Sequence, residues 1–278
     1  MTARSLFFLV IILLLSPFYA KAQEAPSQEA LNALLNDGIE LYQLELASTY
    51  ASSFLDGQLS TEDLAGFFSY KNADTIRTLF YEKNGKVRYE FAFGLPVKPS
   101  FAYLRGDVRK MDSRENLLLK LRKTILKKVK KEEDYFGSPQ LSGFNLNFLE
   151  RAPGWVAYLT PFEGEKGKVP LGSDFILRFS EKGKLLSYEK LHQNLITIQA
   201  GNAAESDPNT NYASMHLHSQ ASSAFITPTD ICQLLLYKDQ VTWVEHYVVS
   251  QNFVCLFRLD TLELILMTPE EFQQLQED

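Results

Sequence analysis

The histidines of this chain are few and lie close together. All four fall within residues 192–246: His192, His216, His218 and His246. Two of them, His216 and His218, stand two positions apart in the strand-forming run YASMHLH. Because side chains at i and i+2 point to the same face of a β-strand, this spacing predicts two imidazoles side by side. Zinc is held by nitrogen ligands of this kind, with a carboxylate and a water completing its shell.

A carboxylate for such a site is available in the segment that follows. Thr227-Pro228-Thr229-Asp230 predicts a helix start, with Thr227 as the cap and proline in the first helical position. Asp230 then lies in the first turn. In one interpretation it completes a metal site with the two histidines. In the other its carboxylate reaches back to the N–H of the cap, and the histidines are ordinary polar residues of strands. The sequence leaves both interpretations open.

The run from His216 to Asp230 resembles the JAMM metalloproteases, which carry H-x-H followed by S-x-x-D. The order of the elements after it is also similar, and the resemblance covers about residues 185–266. It implies a JAMM-like helix after the H-x-H strand and zinc on His216, His218 and Asp230. It also implies that Thr227 takes the place of the family's serine beside the reaction oxyanion, in a hydrolase of peptide or isopeptide-like amides.

The chain departs from the family pattern at three points. The gap between His218 and Thr227 is one residue longer than in the family, Ser219 replaces a proline, and no motif marks the general base. Glu189, which lies 27 residues before His216, is the best-placed candidate for that base. Without a base near a metal-bound water, hydrolysis is slow even with zinc in place.

A second class of function competes with the hydrolase. The segments VPLGSDFILRF and ITPTDICQLLLY look like those of an uncharacterised family of exported bacterial proteins. In that interpretation the chain is a non-catalytic binding or structural protein, and its site is degenerate or unrelated. An acid close to the histidine pair, opposite the metal, favours the hydrolase, whereas the absence of any acid but Asp230 favours the second class.

The first 22 residues have the pattern of a signal peptide. Arg4 precedes ten uninterrupted apolar residues, Leu6 to Leu15, and Ala20-Lys21-Ala22 is a cleavage signal. A membrane-spanning helix needs about 20 apolar residues. We therefore expect a mature chain from Gln23 that is periplasmic or secreted, without stable insertion in a membrane.

Net charge limits the classes of partner that the protein can bind, and the cysteines allow either a disulfide or free thiols. The formal charge is −6, and loss of Arg4 and Lys21 with the signal peptide makes it −8. An acidic chain of this kind has no electrostatic footprint for nucleic acid, so we expect no nucleic-acid partner. Export permits a disulfide between Cys232 and Cys255, but both lie in apolar runs that also suit buried free thiols.

Hydrophobic periodicity and turn signals predict an α+β fold. Helices are predicted at residues 31–55 with a break at Gly38, and at 60–64, 112–134, 227–237 and 268–276. Strands are predicted in a hairpin over 75–93, and at 154–161, 174–180, 184–199, 212–218, 240–250 and 252–260. We expect an N-terminal region of helices and a hairpin at 23–143, and a mostly antiparallel sheet carrying the candidate site at 144–278.

Overall fold

The structure is a computed structural model that describes residues 25–99, 102–136, 144–161, 167–201, 213–218 and 223–277. The predicted signal peptide, residues 1–22, and Gln23, the expected first residue of the mature chain, lie outside these residues. Within them the chain is α+β with mostly antiparallel sheets, which confirms the predicted class.

Helices contribute five elements to the described part of the chain. They are α1 (Gln28–Gln58), α2 (Ser113–Lys131), α3 (Glu133–Phe136), α4 (Pro228–Tyr237) and α5 (Pro269–Glu277). The long helix predicted from residue 112 is confirmed as α2, which begins after Asp112 with a reciprocal cap between that side chain and Glu115. No helix among the described residues is both long and apolar enough to cross a bilayer.

Strands in the same part of the chain form four sheets. The first is an antiparallel meander of β1 (Leu64–Asn72), β2 (Thr75–Glu82), β3 (Val87–Gly94) and β4 (Ala102–Arg105). The next elements are β5 (Phe144–Arg151), β6 (Gly154–Pro161), β7 (Lys168–Gly172), β8 (Phe175–Ser180), β9 (Leu185–Lys190) and β10 (Leu195–Gln199). Of these, β5, β6, β8 and β9 make the second sheet, and β7 pairs with β10 in the third. The fourth contains β11 (Ala213–Leu217), β12 (Glu245–Val249), β13 (Val254–Arg258) and β14 (Leu264–Met267).

Of two local sequence signals in the N-terminal region, the hairpin is confirmed and the short helix is wrong. The hairpin over 75–93 is confirmed, and Gly85 in its turn has the positive φ of 81° that glycine tolerates. The short helix predicted at 60–64 is wrong, because the chain makes a turn there and enters β1, which pairs with β2 over its length. Pairing with a neighbouring strand here outweighs a helix-start signal.

Gly38 does not break the first helix, which is continuous from Gln28 to Gln58. A Cβ atom built on Gly38 would lie 2.6 Å from Cβ of Ile231 and 3.1 Å from the carbonyl oxygen of Pro228, both in α4. The glycine is therefore a point of close approach between α1 and α4. The predicted break is wrong because the residue serves helix packing rather than helix termination.

The core joins the two predicted regions. One apolar cluster contains Phe68 from β1 and Trp155 from β6, and a second contains Leu41 from α1 and Tyr158 from β6. Both clusters therefore include residues from either side of 144. The division at that residue stays a prediction.

A strand–helix–strand unit carries the candidate site. β11 and β12 are parallel, with His216 opposite Val248, and α4 lies between them in sequence. Parallel neighbours need a crossover connection, which α4 provides. The helix packs against β7 and against α1, and its residues Ile231, Leu234 and Leu235 are buried in a third apolar cluster. The face of β11 that carries the histidines thus meets the first turn of α4.

Replacing Gly38 with alanine tests the packing of α1 on α4. Alanine gains about 1 kcal/mol of helix propensity over glycine, but its Cβ would overlap Ile231. Because overpacking costs about 1 to 3 kcal/mol, we expect Gly38→Ala to lower the free energy of unfolding, measured by urea denaturation. Asn36→Ala, on the exposed face of the same helix, is the matched control and should cause no loss. A gain in stability for Gly38→Ala would contradict this packing.

Replacing Glu45 tests a buried carboxyl on α1. Burial raises the pKa of Glu45 from 4.5 to about 7, against a smaller lowering effect of the hydrogen bond from Asn147 at 2.5 Å. A raised folded-state pKa stabilises the protein fully below about pH 4.5 and loses that contribution as the pH rises to about 7. We expect Glu45→Gln to match wild type near pH 4.5 and to exceed it at pH 8 by on the order of 3 kcal/mol. Melting temperatures across this range check it, with the exposed Glu29→Gln as control, and parallel curves for both variants would contradict it.

Candidate metal centre

β11 brings the two closely spaced histidines to one face. His216 and His218 are 4% and 6% exposed, whereas Leu217 between them is 68% exposed. The N–H of His218 donates to the carbonyl of Val249 at 2.8 Å, which extends the pairing with β12 by one residue. Strand alternation therefore places both imidazoles inward, as their spacing predicts.

Asp230 lies in the first turn of α4 and uses its two oxygens differently. Its Oδ2 accepts hydrogen bonds from the N–H and the hydroxyl of Thr227, each at 2.8 Å, and completes a capping box. Its Oδ1 is buried and has no hydrogen-bond partner. The two interpretations of Asp230 are therefore compatible, because one oxygen caps the helix and the other is left for a ligand.

His192 is the fourth member of the site, and spacing does not predict it. It follows β9, and both its N–H and its Nδ1 bond to Oδ1 of Asp174, at 3.1 and 2.7 Å. Asp174 directly precedes β8, is 1% exposed, and also accepts a hydrogen bond from the hydroxyl of Thr229 in α4. A single buried carboxylate thus ties His192 to the helix of Asp230. The one sequence signal for His192 is the confinement of all four histidines to residues 192–246.

The four side chains form a group that can hold a metal ion. His192, His216, His218 and Asp230 each offer one ligand atom, and these atoms lie within 4.8 Å of one another. The Nε2 of His218 is 2.8 Å from Nε2 of both other histidines. The nearest carboxylate oxygens of Asp230 are 3.5 to 3.9 Å from the three nitrogens. A tetrahedral ion with bonds of about 2.0 to 2.1 Å separates its ligands by about 3.3 Å, which falls within this spread.

In His192 and His218, the hydrogen bond on the side of the ring away from the centre determines which ring nitrogen presents its lone pair to the centre. Nδ1 of His192 meets the carboxylate of Asp174, and Nδ1 of His218 meets the carbonyl oxygen of Ser223 at 2.7 Å. Because neither oxygen can donate, both Nδ1 atoms carry protons. In the neutral rings both Nε2 atoms are then lone pairs, 2.8 Å apart. Two lone pairs at that distance repel each other, so a proton or a metal cation has to lie among these nitrogens.

The charges in the centre are strongly coupled. Burial acts to raise the pKa of Asp230, but the three histidines outweigh it and hold that pKa well below its usual value. Burial lowers the pKa of His192, yet the carboxylates of Asp230 and Asp174 raise it to about 11. Burial lowers the pKa of His216 to about 4, against the opposing effect of Asp230. The centre therefore buries two carboxylates, Asp174 and Asp230, whose negative charge needs compensation by a cation.

The two residues predicted to be catalytic lie in different places. Thr227 is 2% exposed and is the cap of α4, with its hydroxyl engaged by Asp230. Glu189 lies on β9, and its side chain is 58% exposed and pairs with Arg178 at 2.5 Å. The structure therefore brings Thr227 beside the cluster but does not bring Glu189 to it. The reason is that Glu189 points to the solvent from its strand, whereas the chain turns inward only after β9, at His192.

The two cysteines stay outside the group of ligands. Cys232 and Cys255 are both free and buried. Burial raises the pKa of each thiol, that of Cys255 to about 11. The question of a disulfide, which the sequence leaves open, is thus answered in favour of two buried thiols.

Comparisons with known proteins add little to this geometry. No family model matches the chain, and no curated protein matches it. A solved BLIP-like protein from Bacteroides fragilis NCTC 9343 is 14% identical, over 54% of this chain and 87% of that one, with a TM-score of 0.14. A TM-score this low carries no argument about fold or function. The resemblance to the JAMM metalloproteases therefore rests on the residue types and spacing of His216, His218, Thr227 and Asp230 alone.

Replacing Thr227 tests whether its hydroxyl serves the helix cap. Thr227→Ala removes the group that accepts from the N–H of Asp230 and donates to its carboxylate. Loss of a cap costs about 0.5 to 2 kcal/mol, so we expect the free energy of unfolding to fall by about 1 kcal/mol. Thr227→Ser keeps a hydroxyl and should keep most of the stability. Both variants are measured by urea denaturation with a chelator present, so that metal binding does not contribute. Equal stability of Thr227→Ala and wild type would contradict the capping role.

Proposed function

We propose that this protein binds one divalent transition metal, with zinc as the preferred ion, at His192, His216, His218 and Asp230. The observation that carries the proposal is the convergence of three imidazole Nε2 atoms on the buried carboxylate of Asp230, whose Oδ1 has no hydrogen-bond partner. Buried polar atoms are nearly always paired, so an orphaned carboxylate oxygen facing three nitrogens needs a partner. A metal cation satisfies all four atoms at once.

The donor set supports zinc over other common ions. Calcium and magnesium prefer shells of oxygen ligands, whereas three of the four groups here are imidazoles. Copper(I) and iron–sulfur clusters prefer thiolate or thioether ligands, and the group contains no sulfur. Zinc accepts imidazole and carboxylate together in tetrahedral sites. Imidazole also suits nickel, iron and copper(II), so metal analysis has to include them.

The arrangement best supports a metal that holds the fold together rather than one that performs chemistry. Four protein ligands fill a tetrahedral shell, and catalytic zinc sites usually keep one position open for water or substrate. All four residues are 6% exposed or less. They come from three separate segments: the connection after β9, the strand β11 and the helix α4. A metal here would tie these segments together, so we favour a non-catalytic, metal-stabilised binding or structural protein.

A second candidate is zinc-dependent hydrolysis of peptide or isopeptide-like amides. It is favoured by the meeting of His216, His218 and Asp230, the three ligands that the JAMM resemblance implies. Such chemistry needs a general base within reach of the reacting water. Glu189 remains the candidate for that role, although its carboxylate pairs with Arg178 at the surface. The hydrolase proposal therefore requires Glu189 to leave Arg178 and approach the metal centre.

We also propose that the chain is exported, to the periplasm or beyond. Arg4 and the ten apolar residues before Ala20-Lys21-Ala22 support it. N-terminal sequencing of protein recovered from an expressing bacterium tests the proposal. A mature chain beginning at Gln23 is expected, and a chain that still begins at Met1 in the cytoplasm would overturn it.

Metal analysis is the direct test of the binding proposal. Protein purified without a histidine tag should contain about one zinc per chain by plasma mass spectrometry. Chelation should lower the melting temperature and zinc should restore it, because a ligand that binds the folded state alone stabilises it. The gain is about 4 kcal/mol when free zinc is about a thousand times the dissociation constant.

Paired variants of neighbouring residues make this test specific. His218→Ala should abolish bound zinc and the response of the melting temperature to chelator. Leu217→Ala changes the adjacent residue, which is 68% exposed, and should leave both unchanged. Absence of metal in wild type, together with an unchanged melting temperature when zinc, nickel, iron or copper is added, would sink the proposal.

Glu189→Gln separates the two candidate functions. If the metal has a structural role, this variant binds zinc as wild type does, and zinc-loaded wild type does not cleave peptide or isopeptide-linked amides. If wild type does cleave such a substrate and Glu189→Gln loses cleavage while keeping zinc, the hydrolase is correct and the structural role is wrong. Zinc content and amide cleavage are measured on the same preparations.

A further inference from the structure

The three histidines of the centre differ in what lies behind them. His192 is backed by the carboxylate of Asp174, and His218 by the carbonyl oxygen of Ser223. Both partners can only accept a hydrogen bond, so the protein itself fixes the proton on the outer nitrogen of each ring. These two imidazoles therefore present the same nitrogen to the centre with or without a metal.

His216 is backed by groups that can donate or accept. Its Nδ1 is 2.8 Å from Nε2 of His246, and Nδ1 of His246 is 2.7 Å from the hydroxyl of Ser214. His246 is fully buried and stacks on His216 with ring centres 5.1 Å apart. The neutral rings of His216 and His246 and the hydroxyl of Ser214 can each donate one hydrogen bond and accept another. The hydrogen bonds among them can therefore run in either direction, and the protein alone does not choose between them.

We propose that metal binding sets the direction of this hydrogen-bond chain and that His246 and Ser214 are positioning residues of the centre. The inference rests on the metal binding proposed above. A metal on Nε2 of His216 takes its lone pair, so the ring proton must lie on Nδ1. That N–H then donates to Nε2 of His246, and the N–H on Nδ1 of His246 donates to the hydroxyl oxygen of Ser214. His246 thereby holds His216 in the tautomer and orientation that bind metal.

Without a metal the same atoms favour the opposite direction. Nε2 of His216 is 2.8 Å from Nε2 of His218, whose lone pair faces it. A proton on that nitrogen of His216 removes the repulsion between the two lone pairs, and Oδ1 of Asp230, 3.9 Å from the nitrogen, is a second acceptor when the protonated His192 donates to His218. Nδ1 of His216 is then an acceptor, so His246 donates from Nε2, and the hydroxyl of Ser214 donates to Nδ1 of His246. Every hydrogen bond of the chain is kept in both directions, and only the positions of the protons change.

The change in hydrogen-bond direction extends to Ser214, at the outer end of the hydrogen-bonded series. Ser214 is half-buried on β11, beside Met215, which is 54% exposed. Met215 lies on the opposite face of the strand, so the half-burial of Ser214 itself places it near the solvent. In the metal-free direction the hydroxyl proton of Ser214 points inward to His246. In the metal-bound direction the oxygen accepts from inside, and the proton is free to bond to an acceptor outside. The state of a buried centre is thus expressed at a group close to the solvent.

The tautomer of His246 is the sharpest observable, since this residue is not itself a ligand. Long-range proton–nitrogen NMR of ¹⁵N-histidine protein distinguishes a proton on Nδ1 from one on Nε2 in each ring. We expect His246 to carry its proton on Nε2 after chelation and on Nδ1 after loading with zinc. His218 should keep its proton on Nδ1 in both states. The same tautomer of His246 in both states would overturn the proposal.

Two replacements of His246 test its positioning role. His246→Phe keeps a stacking ring but removes the acceptor for His216, and we expect zinc affinity to fall about tenfold to a hundredfold. His246→Gln places an amide oxygen near the former Nε2, where it can accept from His216, and should restore most of the affinity. Affinity is measured by competition with a chromophoric chelator on variants whose circular dichroism matches wild type. Equal affinity of His246→Phe and wild type would contradict the role of His246.

The outcomes separate the two proposals. If wild type binds no metal, the proposed function fails and this inference fails with it. If wild type binds zinc but the proton of His246 does not move, the proposed function stands and only the inference is wrong. Because the NMR measurement uses unsubstituted protein, it decides the matter even if both variants of this buried histidine fail to fold.

Discussion

The most demanding interaction in this protein is the one around the unpaired oxygen of Asp230. That oxygen is buried among three imidazoles, and two of them are held by outer hydrogen bonds in the orientation that points lone pairs inward. An uncompensated carboxylate in such a place costs several kcal/mol. A cation must therefore be present, either as a proton shared by the histidines or as a metal ion. The surrounding helices and strands hold the three histidines and Asp230 close enough to share either a proton or a metal ion.

The two buried carboxylates of the supporting structure each have two tasks. Asp174 fixes the ring of His192 and also binds Thr229 in the first turn of α4. Asp230 caps the same helix with one oxygen and faces the histidines with the other. Gly38 lets α1 approach this helix closely enough to hold it against the sheets. Because these contacts share residues and the helix α4, a change in any one of them should move the centre, and the effects of paired substitutions should not be additive.

Closure of the site decides which class of function it favours. A hydrolase of the JAMM type needs an open metal position and a free base, whereas the described residues fill four positions and bury all of them. His192 is the residue that makes the difference, since it adds a fourth possible ligand to the three that the resemblance implies. The burial of all four residues supports the proposed non-catalytic protein more than the proposed hydrolase. The remaining support for the hydrolase is that His216, His218 and Asp230 lie together, which a structural metal site requires as well.

Sequence alone determined the features that depend on neighbours along the chain. The spacing of His216 and His218, the capped start of α4 at Thr227 and the hairpin over 75–93 follow from strand alternation, helix capping and turn chemistry. The tertiary structure alone decided which distant groups join them. His192 and Asp174 carry no spacing signal, because they meet the site through a turn after β9 and a strand start before β8. Glu189, three residues from His192, faces the solvent for the same reason. Local rules place side chains on faces of elements, but the packing of those elements determines which faces meet.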